Sequence, residues 1–127
     1  MNLKDITLLI VDDDADMRDV IAHDFRRRGF NVLIASDGAR AFDLIRINKV
    51  DLVLSDVHMP GVDGIELFKK IKRHQPLLKI IFITGCSNYI KERLTEMGAT
   101  YVFSKPFKRK DIFFKVIEIV SQRVKKP

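Results

Sequence analysis

Five short apolar runs, Thr7 to Val11, Asn31 to Ala35, Leu52 to Ser55, Ile80 to Thr84 and Tyr101 to Phe103, recur at fairly regular intervals along the chain. They constrain the fold more than any other feature, because strands that are apolar along their whole length need cover on both faces. The segments between them supply that cover. Met17, Val20, Ile21 and Phe25 follow the i, i+3, i+4 spacing of an amphipathic helix, as do Ala41, Leu44 and Ile45, then Ile65, Leu67, Phe68 and Ile71, then Ile90, Leu94 and Met97. Phe113, Val116, Ile117, Val120 and Val124 form a last stripe.

The punctuation agrees with this division. Gly29 and Gly98 stand where a left-handed cap would close the first and fourth helices, and the third helix follows Gly64 and ends before Pro76. The pattern predicts a doubly wound α/β fold: a five-stranded parallel sheet between helices, joined by right-handed crossovers. At 127 residues the chain is expected to be a single domain, 1–127, with a short basic tail.

Composition narrows the class. The 46% hydrophobic content fits a globular fold, and no run approaches the roughly 18 apolar residues of a membrane span. With no apolar signal region in Met1 to Asp5, the expected address is the cytoplasm. Cys86 is the only cysteine, so neither an internal disulfide nor a cysteine-based zinc site can form. The net charge of +6 raises the question of nucleic acid. Its basic residues are scattered, however, over Arg26 to Arg28, Lys69 to Arg73, Lys108 to Lys110 and Arg123 to Lys126, each near the end of an expected helix. The reading is a solvated surface, with no membrane partner and no element for direct nucleic-acid binding.

In a doubly wound sheet, ligands sit outside the carboxyl ends of the strands. Asp12, Asp13 and Asp14 end the first strand and Asp56 ends the third, so several carboxylates converge on one mouth. At an effective dielectric near 20 and about 5 Å, each like-charged pair costs on the order of 3 kcal/mol. A cation is implied. Oxygen donors without His or Cys partners favour a hard ion, and a site with few carboxylates suits Mg²⁺. Lys105, just before Pro106, adds a fixed positive charge to the same mouth, and Thr84 adds a hydroxyl. Together these groups can hold and neutralise a transferring phosphoryl group.

Three segments resemble the receiver-domain family of two-component signalling, the CheY-like proteins. Leu8-Leu9-Ile10-Val11-Asp12-Asp13 is similar to its acidic-pair strand, the segment from Asp51 through Ser55-Asp56-Val57-His58-Met59-Pro60-Gly61 to Asp63-Gly64 to its phospho-acceptor segment, and Gly98-Ala99 to Lys105-Pro106-Phe107 to its final signature. The resemblance implies the strand order 2-1-3-4-5 and makes Asp56 the nucleophile. It implies a Mg²⁺ site of Asp12, Asp13, Asp56 and the backbone carbonyl of His58, with Lys105 and Thr84 contacting the phosphoryl oxygens. It further implies a switch that catalyses only its own phosphorylation and dephosphorylation. The phosphoryl group would come from a sensor histidine kinase or a phosphotransfer protein.

Ordinary structural roles account for other candidates. Asp14 and Asp16 read as residues of a helix start, Asp63 as a turn residue before Gly64, His23 and His74 as surface residues, and Cys86 as a small loop residue. The ring of His58 is expected to face solvent. Val102 occupies the position, three before the signature Lys, where the family commonly carries an aromatic residue. Tyr101 beside it should point to the opposite face. In the last helix Ile112 and Ile119 fall on one flank of the core stripe and Phe114 on the other. Two accounts stand side by side: a wider buried face, or a surface for a phosphorylation-dependent homodimer.

Two other functions remain as alternatives. A binding-only pseudo-receiver should have lost a pocket residue, and none is missing. An aspartyl-nucleophile phosphatase also forms an acyl phosphate beside Mg²⁺, but Asp12 to Arg18 lacks the closing residue of its Asp-x-Asp-x-Thr/Val pattern, and the chain has no cap domain.

Overall fold

The computed structural model describes residues 2–59, 61, 63–85 and 88–125, with side chains described through residue 122. Pro60, Val62 and Cys86, and the side chain of Val124, lie outside the described residues. After a short 3-10 turn at Leu3–Asp5, strands β1 (Thr7–Val11), β2 (Asn31–Ala35), β3 (Leu52–Ser55), β4 (Lys79–Thr84) and β5 (Tyr101–Ser104) alternate with helices. These are α1 (Ala15–Arg27), α2 (Gly38–Ile47), α3 (Gly64–His74), α4 (Asn88–Glu96) and α5 (Arg109–Lys125). All strand pairs are parallel, in the order β2-β1-β3-β4-β5.

Alternation along each strand divides the core in two. Leu9, Val11, Val53, Ile80, Phe82 and Val102 pack beneath α2, α3 and α4, whereas Leu8, Ile10, Leu52, Leu54, Ile81 and Ile83 pack beneath α1 and α5. This two-sided burial is why the strands read as continuous apolar runs.

Three helix starts are capped by aspartate side chains. Asp14 accepts from the amides of Asp16 and Met17, Asp37 from Arg40, and Asp63 from Glu66. Gly29 and Gly98 adopt φ of 101° and 105°, the left-handed conformation that ends a helix.

Four details differ from the sequence reading. Ile112 and Ile119 are buried in the α1–α5 layer, so the flank offered for a homodimer is core. The buried stripe of α5 is Ile112, Val116, Ile119 and Val120, while Phe113 and Ile117 are only partly buried and Phe114 is exposed. A helix apolar over so wide an arc does not fix its own rotation; contact with the sheet does. Val20, expected in the α1 stripe, is 40% exposed, because Ile21, Ala22 and Phe25 face the sheet instead. The Lys108 to Lys110 cluster stands at the start of α5, the positive end of that helix, where cations gain nothing from the dipole.

Candidate functional site

Strand register brings the separated site residues together. Val11 pairs with Ser55, Ser55 with Phe82, and Thr84 with Ser104. Each ladder then runs one step further: the Asp56 amide donates to the Val11 carbonyl at 3.0 Å, and the Lys105 amide to the Thr84 carbonyl at 2.8 Å. Asp12, Asp56, Thr84 and Lys105 therefore stand along one edge of the sheet.

Asp12, Asp13 and Asp56 each offer a carboxylate oxygen, and these oxygens lie within 4.8 Å of one another. Asp12 is buried, Asp56 half-buried and Asp13 exposed. Burial pushes the Asp12 carboxyl up from the usual carboxylate range, and the negative charges of Asp56 and Asp13 push the same way. The Asp14 amide, which donates to Asp12 Oδ1 at 2.9 Å, and the Lys105 ammonium oppose that rise without cancelling it. An all-oxygen cluster of this kind is a fitting seat for a hard divalent cation.

The Asp56 carboxylate is held at one oxygen. Oδ1 accepts from the Val57 amide at 2.7 Å and the His58 amide at 3.4 Å, while Oδ2 lies 3.6 Å from Lys105 Nζ. The side chain of Asp56 is 11% exposed, so solvent reaches it only through the mouth. Thr84 is fully buried, and its Oγ1 has no hydrogen-bond partner among the described residues. A buried hydroxyl left unpaired is costly, so Thr84 has hydrogen-bonding capacity that no described residue uses.

Two residues shape the site without having been given a site role in the sequence reading. Gly64 opens α3 directly against the acceptor loop: its amide donates to the Val57 carbonyl at 2.8 Å, and a Cβ there would lie 2.8 Å from Val57 Cα and overlap the Asp56 carbonyl. The sequence marked it as a helix-start glycine closing the acceptor segment, not as a close approach to Asp56. Arg18 donates from Nη1 to the Asp12 carbonyl at 3.1 Å and so ties α1 to the acidic loop. Asp14 belongs to a helix start and His58 is exposed, as expected, while Asp63, read as a turn residue, caps α3. His23 and His74 lie on helix surfaces, the latter edge-on to Phe42.

Val102 is buried in the α2–α4 layer, while Tyr101 is 37% exposed on the opposite side. The Tyr101 ring meets Phe103 edge-on at 4.7 Å and lies beneath Lys115 Nζ at 4.3 Å.

The family model of the response regulator receiver domain matches residues 8–117. The chain belongs to this receiver family. It is 36% identical over 102 residues to sporulation initiation phosphotransferase F of Bacillus subtilis, covering 79% of this chain and 82% of that one. It is 31% identical over 121 residues to the alkaline phosphatase synthesis transcriptional regulatory protein PhoP of the same organism, covering 94% of this chain but only 49% of that protein. The receiver thus spans about half the length of PhoP. Among solved structures, a CheY-like receiver domain protein from Methanospirillum hungatei superposes with a TM-score of 0.89 at 28% identity, covering 96% of this chain and 98% of its own. The fold is therefore the CheY-like, flavodoxin-type sheet with five helices.

Proposed function

We propose that this receiver is a two-component switch that takes a phosphoryl group onto Asp56 from a phosphohistidine of a sensor histidine kinase or phosphotransfer protein. An Asp56 carboxylate oxygen attacks phosphorus, the phosphorus–nitrogen bond breaks, and the imidazole leaves, giving an aspartyl phosphate. The observation that carries the reading is the convergence of three carboxylates and the Lys105 ammonium on one mouth, beside the strand that ends at Thr84. The name of the phosphotransferase relative agrees with it.

Asp12, Asp13, Asp56 and the His58 backbone carbonyl would hold Mg²⁺, which supplies charge neutralisation between the acidic residues and the incoming phosphoryl oxygens. Lys105 takes a further phosphoryl oxygen as an ion pair, and Thr84 donates its hydroxyl to another. Because these two groups gain partners only in the phosphorylated form, phosphorylation shifts a conformational equilibrium and controls a downstream partner. No helix among the described residues is long and apolar enough to cross a membrane, and a cytoplasmic location suits the proposed donors.

A small acyl-phosphate donor with Mg²⁺ should add one phosphoryl mass to the wild type, and none to Asp56→Asn or to protein treated with a chelator. Equal labelling of all three would overturn the assignment. Turnover of an added phosphoester would favour a phosphatase, and absence of any labelling a binding-only module.

A further inference from the structure

The fold brings together two basic clusters that are about eighty residues apart in sequence. Arg27 and Arg28, at the end of α1, line one cavity with Arg109 and Lys110, at the start of α5. The cavity measures about 400 Å³, within the range of small-molecule sites, and lies apart from the carboxylate mouth.

Its charge is unbalanced. Asp24 is the only carboxylate among the described lining residues, and it pairs with Arg109 at 3.3 Å. Arg27, Arg28 and Lys110 have no carboxylate partner among the described residues. The Arg28 guanidinium lies 3.8 Å from the centre of the Phe113 ring, which fixes it over an apolar wall. Cations at the end of α1 are favoured by that helix's dipole, but those at the start of α5 are set against theirs. An anion in the cavity would offset both the mutual repulsion and the adverse dipole.

We infer that this cavity binds a small, multiply charged phosphate-bearing anion, a di- or triphosphate group, held by Arg27, Arg28 and Lys110, with the paired Arg109 also in its lining. Forked guanidinium donors suit phosphate oxygens, and three uncompensated cations match a polyphosphate better than a single phosphate. Occupancy would tie the end of α1 to the start of α5, four residues from Lys105.

Calorimetric titration with tripolyphosphate, in chelator and at physiological ionic strength, tests this. Wild type should bind, and the double variant Arg27→Gln, Lys110→Gln should lose about tenfold or more in affinity. A control with the same charge change on α3, Lys69→Gln with Arg73→Gln, and the mouth variant Lys105→Ala should each stay within about twofold, thermal melts showing all of them folded. Absence of binding, equal weakening in the α3 control, or loss in Lys105→Ala would overturn the site. Orthophosphate binding as tightly as tripolyphosphate, or duplex DNA competing more tightly through the same side chains, would overturn the ligand class.

Discussion

Lys105 Nζ stands 3.6 Å from Asp56 Oδ2, across the mouth that Asp12 and Asp13 also line. This ammonium ion-pairs with Asp56, and its charge also favours the ionised form of Asp12. Two opposing effects are expected of it: it would ease the repulsion among these carboxylates, and it would compete with a metal for them.

The first prediction follows. Asp13→Ala removes a metal-binding carboxylate and should weaken Mg²⁺ binding by about tenfold or more, whereas Lys105→Ala should leave it unchanged or tighter. Metal titration followed by fluorescence or calorimetry separates the signs. The same large loss in both variants would contradict these roles.

Thr84 gives the second. Its hydroxyl is fully buried and unpartnered among the described residues, so Thr84→Val should stabilise the unphosphorylated protein by about 1 kcal/mol in denaturant titrations. The same variant should still take phosphate onto Asp56 by intact mass. It should fail to show the hydrogen-exchange changes that phosphorylation produces in wild type around α4 and β5. Wild-type changes in Thr84→Val would remove Thr84 from the switch.

What was legible in the sequence divides along physical lines. β1, β2 and β3 begin and end where their apolar runs do, because a strand buried on both faces carries its boundary in its own composition. That Asp12, Asp13, Asp56, Thr84 and Lys105 stand at one edge was legible because parallel strands end together. The rotation of α5 was not, since Ile112, Phe113, Val116, Ile117, Ile119 and Val120 offer more apolar arc than the sheet needs. The unsatisfied Thr84 hydroxyl, the close approach at Gly64 and the joining of Arg27 and Arg28 with Arg109 and Lys110 all depend on tertiary contact. No local pattern announces them.

Asp12 supplies the third prediction, in which pH and metal act in opposite directions. Its carboxyl titrates above its ordinary value in the folded chain, so ionising it works against the metal-free fold. That loss is absent below the unfolded carboxylate range, grows as pH rises toward the raised folded value, and is constant above it. Asp12→Asn can keep the hydrogen bond from the Asp14 amide while removing the charge. In chelator at neutral pH it should be more stable than wild type by on the order of 1 kcal/mol, with the two converging on acidification. Saturating Mg²⁺ should reverse the order. A wild type more stable than Asp12→Asn in chelator at neutral pH would contradict it.

The last prediction concerns self-association of the phosphorylated form through α5. Ile112 is 1% exposed within the α1–α5 layer, so Ile112→Lys would place a charge in the core and should destabilise the monomer by several kcal/mol. It cannot report on an interface. Phe114 is 62% exposed and packs only partly, its ring 5.8 Å from that of Phe113. Phe114→Lys should therefore change monomer stability by no more than about 0.5 kcal/mol. If α5 carries a phosphorylation-dependent homodimer, sedimentation with a phosphoryl mimic should show a dimer for wild type and a monomer for Phe114→Lys. A wild type that stays monomeric with the mimic removes self-association, and a mimic-dependent dimer indifferent to Phe114→Lys moves the interface off this face of the helix.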